Sequence, residues 1–314
     1  MREKIEKIKR AIKKHDLFMK FFCWCLIKVG YSNYDLQALQ ISNKKYIKLE
    51  KKYKKILNEL EVEASPDDDE VNNNVWICWF QGLQNAPDIV KKCNESVNYY
   101  LSDKNIHIIT EENMCSYVDF PPYILEKFRK KIIPYAQMSD ILRTMLLVKY
   151  GGMWLDGTVF LTGKIPEYVY KKPLFLLHYK FKDDLTIVKN NWFIYAQKDN
   201  RILKTVLELL LLYWKNENVL SEYFLWHNFL KMTLEKYEAD ADNIYYVSEE
   251  MAHDLGYSLY KKFDPVYWEQ LKRWSTIHKL SYYIFHTKDG KFPQDTTETF
   301  YDHIMNIKFG ENDD

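Results

Sequence analysis

The segment from Gly151 to Thr158 combines a helix end, a strand and a charged residue. The pattern predicts an apolar helix from about Ser139 to Tyr150, which ends at Gly151-Gly152 because glycine adopts positive φ without steric cost. The residues that follow alternate as in a strand, so Asp156 is a carboxylate on a strand that otherwise fits a core. A buried carboxylate is costly without a partner, so an arginine, another cation or a metal is expected beside it.

Two further charged residues lie on the helix that precedes this strand. Asp140 and Arg143 are three positions apart, so they share one helix face and can interact. They flank the apolar Ile141 and Leu142, which favours a functional role over an ordinary surface ion pair. Gly157 follows Asp156, and its missing side chain would let a ligand approach the backbone.

Alternating strands and helices are predicted to position these residues. The apolar run Val75–Phe80 is typical of a buried parallel strand, and Ile106–Ile109 is the next strand. Helices are predicted from Pro87 to about Leu101 and from Glu111 to Tyr117. This order is typical of a doubly wound fold whose ligand lies beyond the carboxyl ends of the strands. The chain has no Gly-x-Gly-x-x-Gly and no Walker sequence, which argues against a dinucleotide enzyme and a P-loop NTPase.

The remaining predicted elements continue the α/β pattern. A helix begins at Pro121-Pro122. The other elements are strands at Leu174–Tyr179, Trp192–Ala196 and Ile244–Val247, and helices at Ile202–Trp214 and Tyr223–Tyr237.

The first 60 residues differ in charge from the rest of the chain. They hold 16 Lys and Arg against 6 Asp and Glu, whereas the whole chain has a net charge of +1, so no nucleic-acid partner is indicated. Basic helices are predicted at Met1–Lys14 and Leu36–Leu60. They are interpreted either as a membrane-surface or partner-binding arm or as a helical layer packed on the main domain. The predicted division is a helical region 1–65, an acidic and Asn-rich linker 66–74, the main domain 75–308 and an acidic tail 309–314.

Location is also indicated by the sequence. The five cysteines show no zinc-type pairing and are expected to be free thiols in a reducing compartment. The apolar run at residues 17–29 contains two lysines and is too short to span a bilayer. We therefore expect a cytoplasmic protein, with peripheral contact to the inner membrane face through residues 1–60 under the first interpretation.

A family resemblance rests on the motifs around the glycine pair. Ser139-Asp140-x-x-Arg143 followed by Gly151-Gly152-x-Trp154-x-Asp156-x-Thr158 resembles the capsular polysaccharide synthesis proteins. Those are relatives of the DXD-type, family-32-like sugar transferases that include yeast mannosyltransferases and the large clostridial toxins. Further matches are Trp76–Gly82 and Asn191–Ala196, and the resemblance covers roughly Asn74 to Lys291. It implies a GT-A-type α/β nucleotide-binding sandwich with a mixed, mainly parallel sheet.

The resemblance also implies an activity and a set of site residues. It implies transfer of a sugar from a nucleotide-diphosphate donor, expected to be a UDP-sugar, to a polysaccharide or lipid-linked oligosaccharide acceptor, with retention of configuration. It implies that Asp156, Asp140 and Arg143 are catalytic. The nucleotide-sugar-binding residues would be Cys78, Trp79, Gln81, Asp140, Arg143, Trp154, Asn191, His278 and Lys279.

One position departs from the family pattern and affects the expected metal. The related enzymes carry a second Asp two residues after the first, where this chain has Thr158. Mn²⁺ or Mg²⁺ would be held by Asp156, Thr158 and His286. With a neutral Thr158 the metal is looser, takes another protein ligand, or is replaced by basic side chains. His286 is otherwise a core or edge residue.

Other interpretations stay open at this point. Trp79 either stacks on the nucleotide base or is a core residue of its strand, and His227 either faces the acceptor or lies on an ordinary helix face. An inverting reaction would need an Asp or Glu as base, which the sequence does not identify. The chain could also be a non-catalytic polysaccharide-assembly protein or a metal-dependent phospho- or nucleotidyltransferase.

Overall fold

The computed structural model describes residues 17–31, 33–64, 71–179, 187–282 and 296–310. The predicted Met1–Lys14 helix, most of the predicted linker, His286 and the end of the acidic tail lie outside the described residues.

Seven strands of the described residues form one large and one small sheet. They are β1 Asn74–Cys78, β2 Asn105–Ile109, β3 Gly152–Asp156, β4 Val159–Leu161, β5 Leu174–His178, β6 Lys189–Ala196 and β7 Ile277–Lys279. The large sheet has the order β2-β1-β3-β6-β5; β2, β1 and β3 are parallel, and β6 is antiparallel to both of its neighbours. β4 and β7 form an antiparallel pair. The predicted mixed, mainly parallel α/β core is confirmed.

Helices cover both faces of the large sheet. They are α1 Leu17–Lys28, α2 Tyr34–Glu59, α3 Asp88–Tyr100, α4 Met114–Tyr117, α5 Pro122–Arg129, α6 Tyr135–Tyr150, α7 Arg201–Asn216, α8 Leu225–Lys236, α9 Glu238–Asp242, α10 Glu250–Ser258, α11 Pro265–Trp274 and α12 Phe300–Asn306. Among the described helices, none has both the length and the apolar character needed to cross a bilayer.

The alternation of β3 places its side chains in two different cores. Trp154 packs with the apolar residues of α6, α7 and α8. Met153 and Leu155 pack on the opposite face, with Val97 of α3. Asp156 is two residues after Trp154 and therefore faces the α6 side of the sheet.

The second basic helix, α2, packs on the main domain. Tyr46 and Tyr53 are buried, and the ring of Tyr53 meets Phe229 of α8 edge-on at 5.1 Å between centroids. The Tyr46 hydroxyl donates to Glu235 at 3.1 Å. Residues 34–59 thus share the core of the main domain, across the composition boundary at 66–74. In contrast, α1 leaves Phe21 63% exposed.

The glycine pair ends α6 and lets β3 lie directly beside β1. Gly151 and Gly152 have φ angles of +69° and +100°. A Cβ on Gly152 would lie 2.4 Å from the carbonyl oxygen of Asn74, so no other residue fits there without a shift of the backbone. The Trp76 indole fixes the same turn by donating to the carbonyl of Gly151 at 2.9 Å.

Several predicted elements differ from the structure. The helix α6 begins at Tyr135, four residues before the predicted Ser139, and β6 begins at Lys189, three residues before the predicted Trp192. The strand predicted at Ile244–Val247 is wrong: the Ile244 N–H donates back to Ala241, which closes the turn after α9, and a single isolated bridge joins the next residue, Ser248, to β5. The helix predicted from Glu111 begins only at Met114. The Asn113 side chain accepts from the backbone N–H of Thr110 at 2.8 Å, and this local turn replaces the first helical turn.

Candidate active site

A cavity of about 720 Å³ lies at the carboxyl ends of the parallel strands β1 and β3. Cys78 and Asp156, the last residues of these strands, are register partners. Ten of the residues predicted from the sequence line this cavity: Cys78, Trp79, Gln81, Asp140, Arg143, Trp154, Asp156, Thr158, Asn191 and Lys279. The cavity therefore lies at the carboxyl ends of the strands, where a ligand site was predicted.

Asp156 is held by two cations and an indole. Its Oδ2 accepts from Lys279 Nζ at 3.0 Å, and its Oδ1 accepts from Trp154 Nε1 at 2.9 Å. The Arg143 guanidinium lies 3.5 Å from Oδ1 and stacks 4.9 Å above the Trp154 ring centroid. The cation expected beside this carboxylate is supplied by both Lys279 and Arg143.

Asp140 and Arg143 form the predicted pair, with Arg143 Nη2 lying 3.4 Å from Asp140 Oδ1. Asn191 supports both residues: its side-chain Nδ2 donates to Asp140 Oδ1 at 2.9 Å, and its carbonyl accepts from Arg143 Nη1 at 2.6 Å. Arg143 also donates to the Ser139 hydroxyl at 3.0 Å. One buried guanidinium therefore links the helix α6, the strand β6 and the carboxylate of β3.

The two carboxylates differ in their expected charge. Burial raises the pKa of Asp140 to about 6, against the opposing effect of Arg143. Burial also raises the pKa of Asp156, but the ammonium of Lys279 and the guanidinium of Arg143 outweigh it, so its pKa lies below the usual value. Asp156 is therefore ionised at neutral pH, and Asp140 titrates closer to neutrality.

Lys279 joins the two positions of the acidic motif. Its Nζ donates to Thr158 Oγ1 at 2.8 Å as well as to Asp156. The antiparallel pairing of β7 with β4 fixes this contact, since Val159 is the register partner of Lys279 and Leu280 N donates to Thr158 O at 2.9 Å.

These residues do not fit a divalent cation in the expected position. Both oxygens of Asp156 accept bonds from protein cations or an indole, and the Thr158 hydroxyl accepts from Lys279. The part of the chain that the structure describes holds no cluster of three His, Cys, Asp or Glu side chains suited to a metal. A metal bound to Asp156 and Thr158 would lie beside the Lys279 ammonium, which contacts both residues and would repel it.

Trp79 is one of several aromatic residues that line the cavity. Its ring meets Tyr282 edge-on, with 5.3 Å between centroids. A Cβ on Gly157 would lie 3.1 Å from the Trp79 ring, so this glycine makes room for the indole. Cys78 is not suited to act as a nucleophile, because burial raises the pKa of its thiol to about 12.

His278 does not reach the cavity. It is fully buried, and its Nε2 lies 3.0 Å from the Thr162 hydroxyl. Adjacent residues of a strand point to opposite faces, so only one of His278 and Lys279 can face the site. The predicted donor-binding role of His278 therefore finds no support in its position. The structure does not describe His286.

Two further polar residues line the cavity: Gln137, which was not predicted, and His227, for which the sequence left two interpretations open. Gln137 donates to Asp140 Oδ2 at 3.1 Å, and its Oε1 has no hydrogen-bond partner among the described residues. His227 is 7% exposed, burial lowers its pKa to about 3, and its Nδ1 likewise has no partner within the described ranges. Gln137 lies one helical turn before Asp140, and that spacing could have identified it.

Comparisons with known proteins identify the family. The profile of the family described as capsular polysaccharide synthesis protein matches residues 27–304, which include the whole cavity. No curated protein gives a significant match. One solved structure that matches is the PaToxG glycosyltransferase, with 19% sequence identity and a TM-score of 0.39 over 64% of this chain and 83% of that one. On the extent of the profile match, the chain belongs to the capsular polysaccharide synthesis protein family.

Proposed function

We propose that this protein is a glycosyltransferase that moves a sugar from a nucleoside-diphosphate donor to a saccharide or lipid-linked saccharide acceptor during capsule synthesis. The observation that carries the proposal is the convergence of Asp140, Arg143, Asp156 and Lys279 in one cavity. A volume of about 720 Å³ falls within the range of sites for small molecules and cofactors.

The charged residues suit the two halves of such a donor. The diphosphate gains negative charge as it departs, and the cationic side chains of Arg143 and Lys279 would stabilise it. Asp140, Asn191 and Gln137 offer oxygen and amide groups at hydrogen-bonding distance from one another, which suits the hydroxyls of a sugar. Trp79 would present its ring to the base, with a UDP-sugar as the expected donor.

We also propose that configuration is retained. An inverting transfer needs a general base, such as an unpaired carboxylate, to take the acceptor proton. Among the described residues, the acids lining the cavity are Asp140 and Asp156, and both are paired with cations. NMR of the anomeric proton in the product would show the same anomer as the donor, and the opposite anomer would refute retention.

Contact with a lipid surface is a further part of the proposal. The helix α1 exposes three aromatic side chains: Phe21 at 63%, Phe22 at 49% and Trp24 at 51%. The first 60 residues of the chain, which include α1, carry 16 basic side chains. Exposed aromatics beside basic residues favour an anionic membrane interface. Replacing all three by Ser should weaken sedimentation with phosphatidylserine vesicles at low salt, whereas the exposed Val266→Ser serves as control. Equal binding by both variants would contradict the membrane role.

Donor binding is the first test of the proposed activity. Thermal unfolding is measured with a panel of UDP- and GDP-sugars and with the free nucleotides. A ligand at about 100 times its dissociation constant stabilises by roughly 2.7 kcal/mol. We expect a shift with one donor that is lost in Asp140→Ala and kept in Asp240→Ala, whose carboxylate pairs with Arg201 outside the cavity.

The same measurement separates the competing functions. If no nucleotide shifts the unfolding temperature, the non-catalytic assembly protein becomes the better explanation. If the protein binds and turns over a nucleotide without any sugar, a phospho- or nucleotidyltransferase replaces the proposal.

A further inference from the structure

The position of Lys279 gives the site its own cation. The ammonium contacts Asp156 and Thr158, the two residues at the first and third positions of the family's acidic motif. By resemblance, those are the positions at which related enzymes hold a divalent metal.

The charges of the cavity are already balanced without a metal. Asp140 and Asp156 contribute two negative charges, and Arg143 and Lys279 contribute two positive charges at 3.0–3.5 Å from them. A divalent cation at Asp156 would be repelled by both protein cations at short range, where charge interactions are strong. The replacement of the second acid by Thr158 lowers the negative charge at the place where the metal would need it most.

Lys279 can also reach a ligand. Its side chain is 20% exposed and lines the cavity together with Asp156, which is 27% exposed. An ion pair that served folding alone would not need to face a cavity of this size. The backbone behind Lys279 is held closely, because a Cβ on Gly256 of α10 would lie 2.6 Å from its carbonyl oxygen.

We propose that Lys279 is the cation that binds the donor diphosphate, and that the site works without a divalent metal. This inference rests on the proposed function. In the transfer, the bond between the anomeric carbon and the diphosphate oxygen breaks, and its electron pair stays on the diphosphate. The acceptor oxygen bonds to the anomeric carbon, and its proton passes to the departing diphosphate. Lys279 keeps its proton throughout and neutralises the charge that develops.

The test measures metal binding and nucleotide binding separately. Free Mn²⁺ is followed by electron paramagnetic resonance, and UDP and GDP binding by calorimetry, in EDTA and in Mn²⁺. The variants are Lys279→Met, Lys279→Arg and the double variant Thr158→Asp/Lys279→Met. Lys204→Met is the matched control, because Lys204 forms a 2.9 Å ion pair with Asp199 outside the cavity.

The inference predicts a distinct result for each protein. The natural protein should bind no stoichiometric Mn²⁺, and its nucleotide affinity should be equal in EDTA and Mn²⁺. Lys279→Met should lose about 10- to 100-fold in nucleotide affinity in EDTA, as expected for a charge-assisted contact, while Lys279→Arg and Lys204→Met lose little. The double variant should bind one Mn²⁺, because it restores two acids and removes the ammonium.

Two results would overturn the inference. One is stoichiometric Mn²⁺ binding by the natural protein that Asp156→Asn abolishes. The other is unchanged nucleotide affinity in Lys279→Met. Failure to bind UDP or GDP under any condition would instead count against the proposed function, and the Mn²⁺ measurement would still decide the metal question. The nucleotide affinity of the natural protein in EDTA and in Mn²⁺ can be compared even if a variant fails to fold.

Discussion

Replacing Arg143 by Met should destabilise the fold far more than the loss of an ordinary arginine. The guanidinium side chain is 6% exposed and lies within 3.5 Å of both Asp140 and Asp156. Met keeps much of the volume but leaves the buried Asp140 and the partly buried Asp156 with one cation fewer. Removing one partner of a buried ion pair costs about 3–5 kcal/mol.

Arg201 provides a matched control for this change. Like Arg143, Arg201 lies on a helix. It pairs with Asp240 at 2.7 Å and stacks on the ring of Tyr237, but its side chain is 23% exposed. Exposed pairs contribute about 1 kcal/mol or less. Urea unfolding at neutral pH, followed by circular dichroism, should therefore show Arg143→Met less stable than Arg201→Met by about 2–4 kcal/mol.

The pH dependence sharpens the same test. Protonated Asp140 does not need a cation, and its pKa of about 6 is held down by Arg143, so it rises further in Arg143→Met. The loss of stability in Arg143→Met should therefore shrink as the pH falls from 7.5 to 5. Equal losses in the two arginine variants, or a loss that does not change with pH, would refute the proposed role of the buried charges.

Three further predictions concern the glycine turn at Gly152, the carboxyl of Asp140 and the ring of Trp79. Gly152→Ala should lower the free energy of unfolding in urea by roughly 3 kcal/mol or more, because strain at positive φ adds to a close backbone contact. Gly30→Ala is the control: Gly30 has positive φ but open space around it, so the loss should be about 1–2 kcal/mol. Equal losses in the two variants would contradict the role of the backbone contact. As the pH rises from about 4 to 6, the natural protein should lose stability relative to Asp140→Asn, because the Asp140 carboxyl ionises at a higher pH in the folded state than in the unfolded state. If urea unfolding shows the same stability difference between the two proteins at every pH, the raised pKa is ruled out. Trp79→Ala should weaken UDP binding in calorimetry by about 1–3 kcal/mol, whereas the exposed Trp274→Ala should not, and equal affinities would remove Trp79 from the base site.

Local spacing predicted the part of the site that lies on adjacent elements. Asp140 and Arg143 are one turn apart, and the helix that carries them runs through the glycine pair into the strand of Asp156. The helical and strand periods of these short segments were therefore enough to predict that the three residues lie close together. The apolar run of β1 likewise predicted a buried parallel strand, and the structure shows that it pairs with β3.

The other half of the site depends on contacts that no local pattern reports. Lys279 meets Thr158 across 121 residues of sequence. Its strand β7 has only three residues, too few to show which of His278 and Lys279 faces the cavity. The helix α10, which packs against this strand, and the helices α11 and α12, which share a core cluster with α10, were not predicted. The sequence therefore indicated basic side chains as one possible replacement for a metal but did not identify the contact between Lys279 and Thr158.

The docking of α2 has a consequence for the order in which the chain folds during synthesis. The Leu57 carbonyl accepts from Lys236 Nζ at a sequence separation of 179 residues, and Tyr46 meets Glu235 at a separation of 189. At about 5–20 residues per second, a ribosome needs roughly 9–36 s to supply the helix that covers α2. During that interval the apolar stripe of a basic amphipathic helix is uncovered on the nascent chain. Chaperones or a membrane surface can therefore meet α2 before the domain that covers it has been made.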